Sequence, residues 1–291
     1  MKGVLLLFLA LEMALLVAPV SGRTFDSAAK VIGDSGTYLV KPGDSLVEIA
    51  RIFGLGFNEL ADANPGIDPF VPVPGTMLVI PTSWVVPDAE PTVDLLINVS
   101  ELRLYYFFFD SAGKRRVVTF PVGIGSEGND TPLGFYRVKE KKEAPSWRVP
   151  PSIREEQPEL PEVVPPGPEN PLGTHALRLS RMSILIHGTN RPWGVGRRAS
   201  HGCLRLYPED IPRLYDKVRI EDGVIIVRQP VKVGELKGRV FVEVHDDPAE
   251  EDYLNHLVHL LAKKELTEKV SLEKLFRALA EKRGVPVDVT E

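Results

Sequence analysis

Residues 186–206 read IHGTNRPWGVGRRASHGCLRL. Two apolar runs, Ser183–Ile186 and Cys203–Leu206, read as short strands. The loop between them carries Gly194, Gly196, Arg197 and Arg198. Two strand ends joined by such a loop can set His187 beside Cys203, sixteen positions later. Cys203 is the only cysteine in the chain. No intramolecular disulfide can form, so in an oxidising compartment the residue is an intermolecular partner or a reactive thiol.

A thiol near neutral pH is only slightly ionised and needs a base to attack well. An imidazole in hydrogen-bond reach supplies one, and an ion pair with it lowers the thiol pKa further. Gly202 lets a substrate approach the backbone closely. The amides of Gly202 and Cys203 can then face a developing oxyanion. The residues therefore spell a Cys–His acyl-transfer site. Two other readings stay open. A zinc site would use His187, His201 and Cys203 with His175 as a fourth ligand, although His201 and Cys203 stand closer in sequence than structural zinc ligands usually do. A buried, inert cysteine would leave the flanking glycines and histidines without a reason.

Outward from this stretch the chain is mainly β. Leu95–Val99, Leu102–Phe109 and Val117–Val122 are β-branched and aromatic runs separated by turn signals such as Ser111-Ala112-Gly113-Lys114. Leu104–Phe109 is almost unbroken in apolar residues, which suits a strand buried on both faces. Further strands are expected at Ala176–Leu179 and Val224–Val227, with a short helix over Pro208–Val218. Residues 144–172, APSWRVPPSIREEQPELPEVVPPGPENPL, hold too many prolines for much regular structure. They are a linker or a loop across a cleft, and Trp147, Ile153, Leu160, Val163 and Val164 favour an ordered loop. Residues 231–247 form a final strand region, and helical spacing at 252–264 and 272–282 predicts a helical extension over 248–291.

The net charge of −5 and the lack of a long basic run give no nucleic-acid footprint. Residues 1–22 show one early cation, Lys2, an apolar stretch interrupted by Glu12, then small residues. That is the layout of a cleaved export signal, and an uncleaved membrane anchor is the alternative. Periplasmic export is the expectation.

Residues 37–82 read in the order strand, helix, helix, strand. Leu46, Ile49, Ala50 and Phe53 follow helical spacing behind Asp44-Ser45, and Asn64-Pro65-Gly66 stops a second short helix. The motifs Y-x-V-x-x-G-D-S-L-x-x-I-A, A-N-P and P-G-x-x-L-x-I-P resemble those of a LysM domain, a small α+β (βααβ) unit. The resemblance implies binding to N-acetylglucosamine-containing glycans such as peptidoglycan; a purely structural βααβ unit is the other reading.

The H-G-T-N and S-H-G-C-L-R-L motifs, with Thr131-Pro132-Leu133-Gly134, resemble the L,D-transpeptidase (YkuD) domain. Trp147 through Arg154 and then VVPPGPENPLGTHAL (163–177) extend the likeness to the ErfK/YbiS/YcfS/YnhG subgroup of bacterial envelope enzymes. The resemblance implies a β-sandwich catalytic domain over 93–230 that uses no cofactor or metal. It implies Cys203 as nucleophile, His187 as proton acceptor and donor, and the Gly188 carbonyl orienting the His187 ring. His201 would shape the pocket and Gly202 would serve the oxyanion. Ser200, Arg205 and Trp193 would touch substrate, with Arg205 as a fork for a carboxylate. The implied reaction cleaves the meso-diaminopimelate–D-alanine bond of a peptidoglycan tetrapeptide and passes the acyl group to an amine. That amine belongs to another stem or to an outer-membrane lipoprotein. A thiol hydrolase of the same polymer and a non-catalytic wall-binding protein are the rival readings.

Overall fold

A computed structural model describes residues 22–90, 92–181 and 183–291. The export-signal reading of residues 1–22 lies outside the described residues except for Gly22. Among the described residues, no helix is long and apolar enough to cross a membrane.

The strand Arg103–Phe109 is buried from Arg103 to Phe107, and the two-residue period of a strand shows by what. Leu104 and Tyr106 enter an inner core with Leu95, Ile97, Phe120, Ile186 and Leu204. Tyr105 and Phe107 point the other way, into a core shared with Leu46, Ile49, Leu60, Leu78 and Ile80. The strand is therefore sandwiched between two units of the chain.

It belongs to one continuous sheet of nine strands. Their order is Thr24–Asp26, Arg115–Pro121, Arg103–Phe109, Leu95–Asn98, Gly223–Val227, Gly134–Glu143, His175–Leu179, Leu185–His187 and Leu204–Arg205. The sheet curls around the inner core, and the helix Asp210–Lys217 closes it with Ile211 and Leu214. The architecture is mainly β, and its two facing layers come from one curled sheet. The strand Gly134–Glu143 joins the two halves, pairing with Gly223–Val227 at one end and His175–Leu179 at the other.

The βααβ unit consists of the strand Gly36–Leu39, the helices Leu46–Ile52 and Phe57–Ala63, and the strand Met77–Ile80. Ser45 caps the first helix, its Oγ accepting from Glu48 N at 3.3 Å. The apolar sides of these helices share their core with the outer face of the large sheet. A buried ion pair crosses the same junction, with Arg103 Nη2 2.5 Å from Glu59 Oε2 and its guanidinium 4.2 Å from the Trp84 ring.

The division drawn in the sequence at residue 247 does not separate two packing units. The hairpin Val231–Leu236/Arg239–Val244, the helices Tyr253–Lys263 and Leu272–Glu281 and the strand Val287–Asp288 surround one core containing Val233, Val242, Leu257, Leu261, Leu275 and Val289. A two-stranded hairpin is marginal alone, so the helices complete its burial.

Candidate active site

The strands Leu185–His187 and Leu204–Arg205 run parallel, with Ile186 opposite Leu204 and His187 opposite Arg205. A parallel pair needs a long crossover, which is why a loop separates the two motifs. Ile186 and Leu204 are fully buried in the inner core. Alternation then puts Leu185, His187, Cys203 and Arg205 together on the opposite face. Leu206 N donates to His187 O at 2.8 Å and locks the register.

His187 is 3% exposed. Its Nδ1 is 2.5 Å from the Gly188 carbonyl. A carbonyl only accepts, so Nδ1 carries the proton and Nε2 keeps its lone pair. Burial first and the Arg205 charge second outweigh hydrogen bonds to the Gly188 and Leu172 backbone, and together they leave the imidazole pKa lowered to about 4. The ring is therefore a neutral base near neutral pH. Gly188 is required: an added Cβ would lie 2.9 Å from Ile211 Cγ2.

Cys203 is half-buried, with Sγ 3.5 Å from the Ser183 carbonyl. Burial raises the thiol pKa; the Leu185 amide and the charges of Arg205 and Arg178 oppose it without reversing it. The ion pair expected from the sequence is thus replaced at rest by a neutral thiol and a neutral imidazole. Desolvation disfavours both charged forms, and the thiol's hydrogen bond goes to Ser183 O.

The turn before Cys203 is built by side chains. Gly202 has φ +99°, which disfavours any residue with a Cβ. Ser200, expected from the motif at the substrate, is 2% exposed and its hydroxyl is engaged within the turn. Its Oγ donates to Cys203 O at 2.6 Å and accepts from Gly202 N at 3.2 Å. The Gly202 amide expected at an oxyanion is thus engaged with Ser200 at rest. Thr131 Oγ1 donates to Gly202 O at 3.1 Å and accepts from Gly125 N at 3.0 Å. Its place in the Thr131-Pro132-Leu133-Gly134 segment was the sequence signal for this brace.

The proline-rich segment is ordered. It contains the paired strands Trp147–Arg148 and Val163–Val164 and the helix Pro151–Glu156. Asn170 Nδ2 donates to Pro145 O at 2.8 Å and Pro165 O at 3.1 Å, tying the segment's ends. It roofs an open cavity of about 150 Å³ lined by Trp147, Ile153, Leu160, Asn190, His201 and Arg205. His201 Nε2 lies 3.4 Å from Glu156 Oε2 and joins the roof to the nucleophile's motif. Arg205 Nε is buried without a hydrogen-bond partner. Trp193, expected in the cleft, is 55% exposed on the turn Pro192–Gly194 and does not line this cavity. Trp147 takes that place, because the turn buries Gly194 and leaves its tryptophan outside.

The four residues of the zinc reading are not brought together. His175 bonds Thr174 Oγ1 at 2.9 Å and packs on Tyr215, His201 faces Glu156, and His187 Nδ1 holds Gly188 O. Among the described residues, the ligand-type side chains that do cluster are Glu101, Glu243 and His245, a set that does not include Cys203, and the Lys232 ammonium already bridges the two carboxylates.

Residues 92–233 match the family model of the L,D-transpeptidase catalytic domain, and residues 38–81 match the LysM domain. The chain is 40% identical over 234 residues to the probable L,D-transpeptidase YcfS of Escherichia coli (strain K12), covering 77% of this chain and 72% of that one. It is 39% identical to the probable L,D-transpeptidase ErfK/SrfK of the same strain, over 75% of this chain and 71% of that one. Against the probable L,D-transpeptidase YbiS, also of that strain, identity is 37% over 75% of this chain and 72% of the relative.

Proposed function

The chain belongs to the L,D-transpeptidase family, and from that premise we propose that it is an exported enzyme that acts on peptidoglycan tetrapeptide stems through a Cys203 thioester. The observation that carries the reading is the shared face of His187 and Cys203 on adjacent parallel strands, with Nδ1 of His187 fixed by Gly188.

The Cys203 thiol attacks the carbonyl of the meso-diaminopimelate–D-alanine bond. Its proton passes to His187 Nε2 as the S–C bond forms. The C–N bond then breaks, and the same proton leaves on the amine of D-alanine. Gly202 N–H exchanges its long bond to Ser200 Oγ for the developing oxyanion. An amine resolves the thioester, giving up a proton to His187, and the free thiol returns. Arg205, buried with an unpaired Nε on the cavity wall, binds a stem carboxylate. The LysM unit binds the glycan of the same polymer. The apolar stretch behind Lys2 supports export to the periplasm.

The acceptor is the amine of a second stem or the terminal lysine of an outer-membrane lipoprotein. Product analysis by mass spectrometry, with tetrapeptide alone and with each amine added, tests this. Cross-linked or lipoprotein-bearing products support transfer. Tripeptide alone under every condition would replace transfer by hydrolysis.

A further inference from the structure

The loop from His187 to Cys203 does not stand free. Its Gly194–Arg197 segment lies against the turn between the two LysM helices. Backbone touches backbone there: a Cβ on Gly196 would lie 2.2 Å from Gly56 Cα, and one on Gly56 would lie 2.7 Å from Gly196 Cα. Phe57 N donates to Val195 O at 3.4 Å and Asn58 N to Gly196 O at 3.2 Å. The Arg197 guanidinium sits 3.6 Å from the centre of the Phe57 ring. Arg197 Nε is buried with no hydrogen-bond partner, and the Phe57 ring covers the guanidinium face.

From Arg197 the path to the nucleophile is short. Arg197 O accepts from Ile124 N at 2.9 Å, and the strand Arg198–Ser200 pairs with Ile124–Gly125. Ser200 ends that strand and braces Cys203 O and Gly202 N. Phe57 contacts Arg197 directly, Arg197 leads into the strand that ends at Ser200, and Ser200 bonds Cys203 O; the LysM core is continuous with the outer face of the catalytic sheet.

We propose that the LysM unit is a positioning element of the catalytic site, with Phe57 and Arg197 as positioning residues that set the loop carrying Ser200 and Cys203. The proposal rests on Cys203 as the nucleophile. A unit that served only as a wall tether would need no contact with this loop.

The test uses the full chain with Phe57→Leu and Arg197→Gln, two independent ways to remove one contact, and Phe57→Tyr, which keeps the ring. Two quantities are followed: kcat and KM for D-alanine release from a disaccharide-tetrapeptide, and the rate and pH midpoint of alkylation by iodoacetamide. Cys203 is the sole cysteine, so alkylation reports that thiol alone. Sub-ångström misplacement is costly in catalysis, so kcat falls about 10- to 100-fold in the first two variants, KM stays within about twofold, and the alkylation rate shifts several-fold. Phe57→Tyr remains near wild type. Leu257→Ala, which weakens the distant C-terminal core, lowers the melting temperature without changing either readout of the folded protein. Both contact variants within about twofold of wild type in kcat and alkylation would overturn the proposal, as would an equal loss in Leu257→Ala. If wild type releases no D-alanine, the proposed reaction fails by itself, and alkylation still decides the positioning role.

Discussion

At His187, burial outweighs the carbonyls that favour the charged ring, and Arg205 adds to the same side. The acid limb of kcat/KM therefore has its midpoint near 4, where the folded imidazole protonates, and not near its ordinary 6.5. Replacing Arg205 by Gln removes one cause of the lowering, so the limb moves to higher pH while KM for the tetrapeptide rises. A pH–rate series on both proteins checks this. The same shift bears on stability. Between pH 6.5 and 4 the unfolded chain takes a proton that the folded ring refuses. Stability is thus intact above 6.5 and falls as pH drops through that window, by up to about 3 kcal/mol from this group. Urea midpoints of wild type and His187→Gln across the window measure it; the variant's slope should be flatter.

Among the elements, the proline-rich roof hangs on one amide. Asn170, itself fully buried, donates to three carbonyls, and its Oδ1 accepts from Leu172 N at 2.9 Å. Asn170→Ala strands these groups and costs about 1–3 kcal/mol. It also raises KM, because Trp147 and Ile153 lose their placement over the cavity; steady-state kinetics with thermal melting checks both. Elements with a clear period could be read from sequence, as the helix Tyr253–Lys263 shows with Leu257 and Leu261 buried at i, i+4. The strand Gly134–Glu143 was missed because only Tyr136 and Val138 are buried among charged, outward residues. The three-residue strands Thr24–Asp26 and Val31–Gly33 are held by partners far along the chain, so local pattern says little about them. At the site, motif order marked His187, Gly188 and Cys203. It could not show that Ser200 faces inward and Trp193 outward, because burial there is set by Thr131, Gly202 and the turn at Pro192.

Across the whole molecule, three units meet around buried charge. Lys232 bridges Glu101 and Glu243, His245 bonds Glu243 Oε1 at 2.7 Å, and Val85 N donates to Glu243 Oε2 at 2.6 Å. The residues come from the catalytic sheet, the C-terminal hairpin and the strand after the LysM unit. Lys232→Met leaves two buried carboxylates without their cation, and about 3–5 kcal/mol of stability is lost. Urea unfolding measures the loss, and a change below about 1 kcal/mol would mean that water reaches the cluster. The LysM helices share one core with the outer face of the catalytic sheet, so the proposed positioning role can be tested without separating the two units.

The most direct test of the central claim is the intact mass of the protein after brief exposure to a purified disaccharide-tetrapeptide, with released D-alanine counted in parallel and Cys203→Ala beside it. The account predicts one acyl adduct on Cys203, stoichiometric early release of D-alanine, and neither in the variant. Release at an equal rate from Cys203→Ala, or no adduct and no release from folded protein with a free thiol, would contradict it.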